Sequence, residues 1–399
     1  MICTKEVSKK FGITRQTINN YINKGLLTAP EKDSKNRYKW TQENINQLAS
    51  IVNRNDHQLK DYNKDILNIQ NRRYLGSKFK LLDFIESTTE PFIDTVEVVA
   101  DLFAGTGVVA DLFAKKGKKV IVNDILYSNY ISYITWFGNQ EINYKKVKQK
   151  IDELNQLQGL YGYCTRNFGN KYFSNDNAMK IDAIREKINS YTDINKREEA
   201  FLLTSLLYAA DKIANTVGHY DAYRKKMDSL NPIHLKVPKL NTYKENLIYN
   251  QNANELVKNI KSDLVYIDTP YNSRGYENAY HVLENIITWT KPEVEGISKK
   301  AVTRKQKASD YNKKIAPLAF NDLITNIKAK YILVSYNNMA KKGNSRSNAK
   351  ISNEEIISTL EKKGKVSIYS HDFQAFTTGK SKIDNHKELL YLCEVLKNE

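Results

Sequence analysis

An α/β protein with a doubly wound, mainly parallel sheet, preceded by a small helix-turn-helix module, is the architecture predicted by three features of the 399-residue sequence. Short apolar runs alternate with helical patterns from Val96 to Cys393, as strands joined by crossover helices do. Near the N-terminus the apolar residues recur at helical spacing instead. Between these regions lies a polar, Asn-rich stretch that reads as a linker.

The first module is built on Val7, Phe11, Ile13, Ile18 and Tyr21, the apolar positions of two short helices. Gly12 permits the turn between them, Thr14 can cap the second helix, and Lys24-Gly25-Leu26-Leu27 ends it. Arg37-Tyr38-Lys39-Trp40 alternates basic and aromatic residues as a β-wing does, and Thr41 caps a third helix through Leu48. Thr14, Arg15, Gln16, Thr17 and Asn20 lie on the helix that would enter a major groove, with Arg37 on the wing; such side chains reach base edges and phosphates. A helical hairpin that only packs against protein has the same pattern. Over roughly residues 1–52 the module resembles the winged helix-turn-helix of the MerR type.

The expected boundaries are 1–55 for this DNA-binding module, 56–71 for the linker and 72–399 for the α/β domain. Strands are expected at Val96–Ala100, Lys119–Val122, Leu247–Tyr249, Leu264–Ile267, Tyr331–Ser335, Val366–Tyr369 and Leu389–Cys393. A mostly helical insertion, residues 125–245, separates the second strand from the third.

A formal net charge of +17 favours a polyanionic partner, because clustered Lys and Arg release counterions from phosphates. Part of the excess lysine belongs to a general Lys/Asn/Ile/Tyr-rich composition. The three cysteines, Cys3, Cys164 and Cys393, have no paired spacing, so neither a disulfide framework nor a metal site is expected. The N-terminus has no apolar signal core, and the longest apolar stretch, Leu202–Ala210, is interrupted by Thr204 and Ser205. A cytoplasmic setting without a membrane partner is expected.

Two strand ends carry chemistry. Asp101-Leu102-Phe103-Ala104-Gly105-Thr106-Gly107 places two glycines where the backbone turns after the first strand and approaches a ligand at a helix start. The G-x-G-x-x-A spacing alone also fits an ordinary strand-helix turn or a dinucleotide site. Asp101 can face the ammonium of an amino-acid moiety, and Asp124, ending the next strand, can accept from both ribose hydroxyls. Val108-Val109 stand where a phosphate-binding loop needs Lys-Ser or Lys-Thr. An acidic rim suits the cationic sulfonium of S-adenosylmethionine better than a pyrophosphate.

The second strand end is Asp268-Thr269-Pro270-Tyr271. The Asp268 carboxylate and the Thr269 carbonyl can each accept an N–H from an adenine amino group, turning its lone pair toward a methyl donor. Pro270 holds Thr269 extended, and Tyr271 would stack on a base flipped from the duplex. No cysteine follows a proline, which excludes the thiolate chemistry of cytosine-C5 transfer.

With these motifs in this order, residues 72–396 resemble class-alpha adenine-N6 DNA methyltransferases of restriction-modification systems, the FokI-like modification enzymes. The matching segments are Arg73–Lys78, Asp101–Gly107, Asn123-Asp124, Asn252-Ala253-Asn254, Asp268–Tyr271 and Ser335-Tyr336-Asn337. The resemblance implies a Rossmann-like seven-stranded methyltransferase sheet and a site-specific enzyme using S-adenosylmethionine on double-stranded DNA. It also implies a partner restriction endonuclease acting on the same site. It implies that Tyr74, Gly76, Ser77 and Lys78 close the cofactor site with Phe103, Gly105 and Gly107, and that Asn252 and Ala253 lie near the cofactor adenine. Thr269 stands where the family usually has Pro, and Asn252 where it often has Asp. An initial Asp rather than Ser in the tetrad points to adenine over cytosine-N4.

Arg274 and Tyr276, just after the tetrad, and Tyr161, Tyr163, Arg166 and Tyr172 in the insertion mix rings with cations as DNA contact requires. The winged module suggests autoregulation of the operon or a longer recognition sequence. The alternative from another class is a DNA-binding regulator whose methyltransferase fold is inactive.

Overall fold

A computed structural model of the chain describes residues 4–11, 18–19, 21–22, 27–33, 38–49, 66–243, 245–270, 275–338, 349–372 and 387–396. It divides into two compact units, Met1–Ile66 and Leu67–Glu399.

In the first unit, helix α1 (Thr4–Phe11) and a helix over residues 42–49 contribute to an apolar centre of Val7, Ile18, Leu27, Trp40, Ile45 and Leu48. The Trp40 indole N–H donates to Thr4 Oγ1 at 3.1 Å, which gives a buried donor its partner. Lys32 and Tyr38 form an antiparallel bridge at the place expected for the wing, and Lys39 N–H donates to the Glu31 carbonyl at 2.7 Å. Thr41 Oγ1 accepts from the Asn44 N–H at 3.2 Å, the geometry of an N-cap. Thr14, Arg15, Gln16, Thr17, Asn20 and Arg37 lie outside the described residues, as do Gly12 and Ile13.

The second unit is organised on strands β1 (Val98–Asp101), β2 (Lys119–Asn123), β3 (Leu247–Tyr249), β4 (Leu264–Ile267), β5 (Tyr331–Asn337), β6 (Gly364–Asp372) and β7 (Lys387–Val395). They form one seven-stranded sheet in the order β6-β7-β5-β4-β1-β2-β3. Neighbours from β5 to β3 are parallel, whereas β7 runs antiparallel to both β5 and β6. Every strand expected from the sequence overlaps one of these.

All four residues of β4 are buried, as a central strand covered on both faces requires. Alternation divides them between two cores. Leu264 and Tyr266 join Val99 and Leu333 on one face, while Val265 and Ile267 join Ala100, Ile332 and Val334 on the other. The first face is covered by α2 (Leu82–Thr89), α3 (Val108–Lys115) and the insertion helices α4 (Tyr127–Phe137), α5 (Tyr144–Gln156), α6 (Tyr163–Phe168), α7 (Asn175–Ser190) and α8 (Lys196–Ile213), together with α9 (His281–Thr288). The second face is covered by α10 (Ala316–Asn326) and α11 (Asn353–Glu361).

The apolar run expected between Leu202 and Ala210 is the buried middle of α8. Asn195 and Glu198 start that helix with a reciprocal capping box, so it begins at a defined residue. Among the described residues no helix is long and apolar enough to cross a membrane. Tyr172, considered from the sequence as a surface for bases, is fully buried, with its hydroxyl 2.8 Å from the Tyr220 carbonyl and 2.9 Å from that of Ser298. It serves the core.

The strand order places the functional loops. β1 and β4 are neighbours, but the chain leaves β1 toward β2 and leaves β4 toward β5, on opposite sides. Loops beyond the carboxyl ends of two such strands diverge and leave a crevice, the usual ligand position in an open α/β sheet.

Candidate active site

The loop after β1 turns where its glycines allow. Gly105 has φ +54° and Gly107 φ +82°, both in the left-handed region. A Cβ on Gly105 would stand 2.9 Å from the Tyr74 ring, so the missing side chain admits that ring beside the loop. Gly107 caps α3 and is hemmed by Phe137, Ile69 and Tyr133 at 3.1–3.3 Å from a notional Cβ. It supports helix packing and does not border the cavity described next.

That cavity, about 510 Å³, occupies the crevice between the β1 and β4 loops. This is a volume suited to a small-molecule ligand. Tyr74, Gly76, Ser77, Lys78, Asp101, Phe103, Gly105, Asp124, Asn252, Ala253, Asp268, Pro270 and Tyr276 all border it. Two carboxylates far apart in sequence, Asp124 and Asp268, therefore open onto one space.

Asp101 ends β1 and is 1% exposed. Neither of its oxygens has a full hydrogen-bond partner. Burial, then the charges of Asp268 and Asp124, push its pKa well up, and the backbone N–H groups of Ala110 and Phe103 offset part of this. A buried carboxylate left in this state calls for a cationic or donor-rich ligand.

Asp124 Oδ2 accepts from Gly105 N–H at 3.1 Å and Oδ1 from Leu126 N–H at 2.8 Å, so the same side chain braces the glycine loop and the start of α4. Burial raises its pKa to about 6 against the opposing effect of Leu126 N–H, the Asn129 amide and Gly105 N–H. After β3, Asn252 caps the short helix Ala253–Leu256 by accepting from Asn254 N–H at 2.9 Å. Phe103 meets Tyr311 edge-on at 5.1 Å, closing that end with aromatic surface.

Asp268 follows β4, with Thr269 buried behind it at 2% exposure and Pro270 on the cavity wall. Burial raises the Asp268 pKa to about 6; Lys78 lowers it, and Glu388 raises it. Lys78 Nζ lies 2.8 Å from Asp268 Oδ1. Tyr271 and Arg274 lie outside the described residues.

Tyr276, expected as a DNA contact, stands in the wall of this same cavity. Its ring stacks with Tyr74 at 5.5 Å, and its hydroxyl donates to the Leu75 carbonyl at 3.1 Å. Tyr280 stacks on Tyr74 at 4.6 Å and 6°, while the Arg72 guanidinium stands 5.1 Å from the centre of the Tyr74 ring. These contacts hold Tyr74 against the glycine loop.

Sequence reasoning missed Glu388, Tyr280 and Arg72. For Glu388 the only signal was a carboxylate at the head of an apolar strand, a pattern that ordinary edge residues share.

The residues fit a ligand with positive charge and polar hydroxyls. The carboxylates bordering the cavity, Asp124 and Asp268 among them, disfavour a pyrophosphate, and the Asp101 oxygens suit an ammonium or sulfonium neighbour. Residues 74–348 match the D12 class of N6 adenine-specific DNA methyltransferases. The chain belongs to this family.

Within this D12-class protein, residues 4–65 also match the MerR HTH family of regulatory proteins. The chain is 38% identical to modification methylase StsI of Streptococcus sanguinis, over 67% of this chain and 44% of that protein. It is 32% identical to type II methyltransferase M.NlaIII of Neisseria lactamica, over 79% of this chain and 95% of the relative. To type II methyltransferase M.FokI of Planomicrobium okeanokoites it is 35% identical, over 73% of this chain and 47% of the relative. The D12-class chain thus spans about half the length of the first and third of these and nearly all of the second. Among the described residues no group of His, Cys, Asp and Glu could hold a metal ion.

Proposed function

We propose that the chain is a site-specific DNA adenine-N6 methyltransferase that uses S-adenosylmethionine, and that it is the modification enzyme of a restriction-modification system with a cognate endonuclease. The observation that carries this reading is the convergence of Asp101, Asp124 and Asp268 on one cavity at the switch point of the sheet. When bound, S-adenosylmethionine supplies an electrophilic methyl group on a sulfonium. Asp101 would hold its ammonium, Asp124 its ribose hydroxyls, and Phe103, Asn252 and Ala253 the surroundings of its adenine. Tyr74, Gly76, Ser77 and Lys78 would close the site, Gly105 would let the backbone turn close to the ligand, and Gly107 would set the start of α3 behind it.

The target adenine enters from a base flipped out of the duplex. Asp268 and the Thr269 carbonyl would accept its amino hydrogens, Pro270 would hold Thr269 extended, and Tyr271 would stack on the ring. Acceptors fixed before the base arrives lower the barrier by aiming the nitrogen lone pair and stabilising the charge that grows there. Arg274 and Tyr276 follow immediately and would steady the target strand.

The experiment is labelled methyl transfer from S-adenosylmethionine to genomic DNA free of adenine methylation, followed by single-molecule sequencing. Methyl-adenine at one short recognition sequence is expected. Transfer to total RNA alone, or to nothing, would sink the assignment.

We infer also that the N-terminal unit binds DNA through Thr14, Arg15, Gln16, Thr17 and Asn20, with Arg37 on the wing, and regulates the enzyme's own operon. The MerR-type match and the wing bridge support this. Deleting residues 1–55 is expected to abolish promoter binding in a gel-shift assay while leaving the methylated sequence unchanged. Loss of methylation at native sites would assign the unit to target reading instead.

A further inference from the structure

Polar side chains from three separate elements meet beside the Asp268 carboxylate. The Lys78 ammonium, 5% exposed, lies 2.8 Å from Asp268 Oδ1 and 3.3 Å from Glu388 Oε1, and Glu388 is itself 3% exposed. Ser335 Oγ donates to that same Glu388 oxygen at 2.8 Å. Topology makes the meeting possible. Because β7 runs antiparallel to β5, its first residues lie at the edge where β4 and β5 end. Lys78 and Asp268 border the cavity, whereas Glu388 stands behind them and outside residues 74–348 that match the family.

A carboxylate oxygen engaged by a lysine is poorly placed to accept a hydrogen bond from a substrate amino group. With Asp268 as its sole anion, a buried ammonium would stay there, since stranding it unpaired in a low-dielectric interior costs more than one neutral hydrogen bond returns. Glu388 changes that balance. A second carboxylate within reach, held by Ser335, lets the ammonium shorten one contact as it lengthens the other.

We propose that Glu388 is a positioning residue for methyl transfer, an alternate seat onto which the Lys78 ammonium moves as the target amino group approaches Asp268. The inference rests on the reading of Asp268 as acceptor for that amino group. The charged and titratable groups facing Asp268 are Lys78 from the turn Lys78–Leu81, Glu388 from β7, Asp101 from β1 and Tyr266 within β4. Neutralising Glu388 leaves Asp268 as the carboxylate paired with Lys78, which keeps Oδ1 occupied and favours the ionised form of that carboxylate.

The test is Glu388→Gln, which keeps the shape and removes the charge. Methyl transfer to unmethylated genomic DNA is measured against pH at saturating S-adenosylmethionine, with cofactor binding by calorimetry as the control for folding. Expected are a kcat lower by about 10-fold to 100-fold, an acid limb of kcat/KM for DNA displaced to lower pH, and unchanged cofactor affinity. Glu388→Asp should recover part of kcat. Wild-type kcat with an unmoved limb overturns the proposal, and so does a loss of kcat without movement of the limb, which would make Glu388 purely structural. Should E388Q not fold, Ser335→Ala decides: a smaller displacement in the same direction supports the proposal and an unchanged profile overturns it. A wild-type protein that transfers no methyl group fails the underlying reading instead, so the two failures are separable.

Discussion

Replacing Asp268 by alanine is expected to lower the rate of methyl transfer by about a thousandfold while leaving S-adenosylmethionine binding measurable. The substitution removes the acceptor proposed for the target amino group but none of the contacts proposed for the cofactor. It should also leave the fold intact, because the buried Lys78 retains Glu388 at 3.3 Å as a partner. Single-turnover transfer and cofactor calorimetry on the same preparation check both halves. Transfer near the wild-type rate would remove Asp268 from the chemistry.

The same group sets the pH dependence. Burial raises the Asp268 pKa to about 6 despite Lys78. Asp268 must be ionised to accept an amino hydrogen, so kcat/KM for DNA is expected to be steady above that value and to fall as pH drops through about 6. Measuring at saturating S-adenosylmethionine keeps the titration of Asp124, also raised to about 6, out of the profile.

The second large effect is expected from Asp124→Ala. Two backbone donors, Gly105 N–H and Leu126 N–H, lose their acceptor, and each buried donor left unpaired costs about 1–3 kcal/mol. The glycine loop and the start of α4 should loosen together. Removal of the acceptor proposed for the ribose hydroxyls adds to this, so affinity for S-adenosylmethionine should fall by about 100-fold or more, with a lower midpoint of denaturant unfolding. Asp124→Asn keeps one carbonyl oxygen and should lie between the variant and wild type. Calorimetry and urea titration read these effects, and wild-type affinity in Asp124→Ala would place the ribose elsewhere.

Much of this protein was legible in its residues because local rules and global fold agree. The apolar run of β4 has to be a central strand, since nothing polar interrupts it and all four residues are buried. The two glycines after β1 have to turn the chain, and both adopt left-handed φ. One reading went astray where burial decides. Tyr172 has the ring and hydroxyl of a base-stacking residue yet is wholly enclosed. For Tyr276, expected to contact DNA, the structure adds a place in the cavity wall against Tyr74 that local sequence does not give.

Taken alone, the amino-acid order determined the strands, the turn at Gly105 and Gly107, the acidic strand ends and the tetrad, because each depends on neighbours within a few residues. Only the tertiary structure decided that Asp101, Asp124 and Asp268 share one cavity, and that Lys78 stands between Asp268 and Glu388. The physical reason is strand order and direction. A reversal at the β1/β4 boundary and one antiparallel strand bring together charges that no local pattern links, and once water is excluded their mutual fields set the state of each.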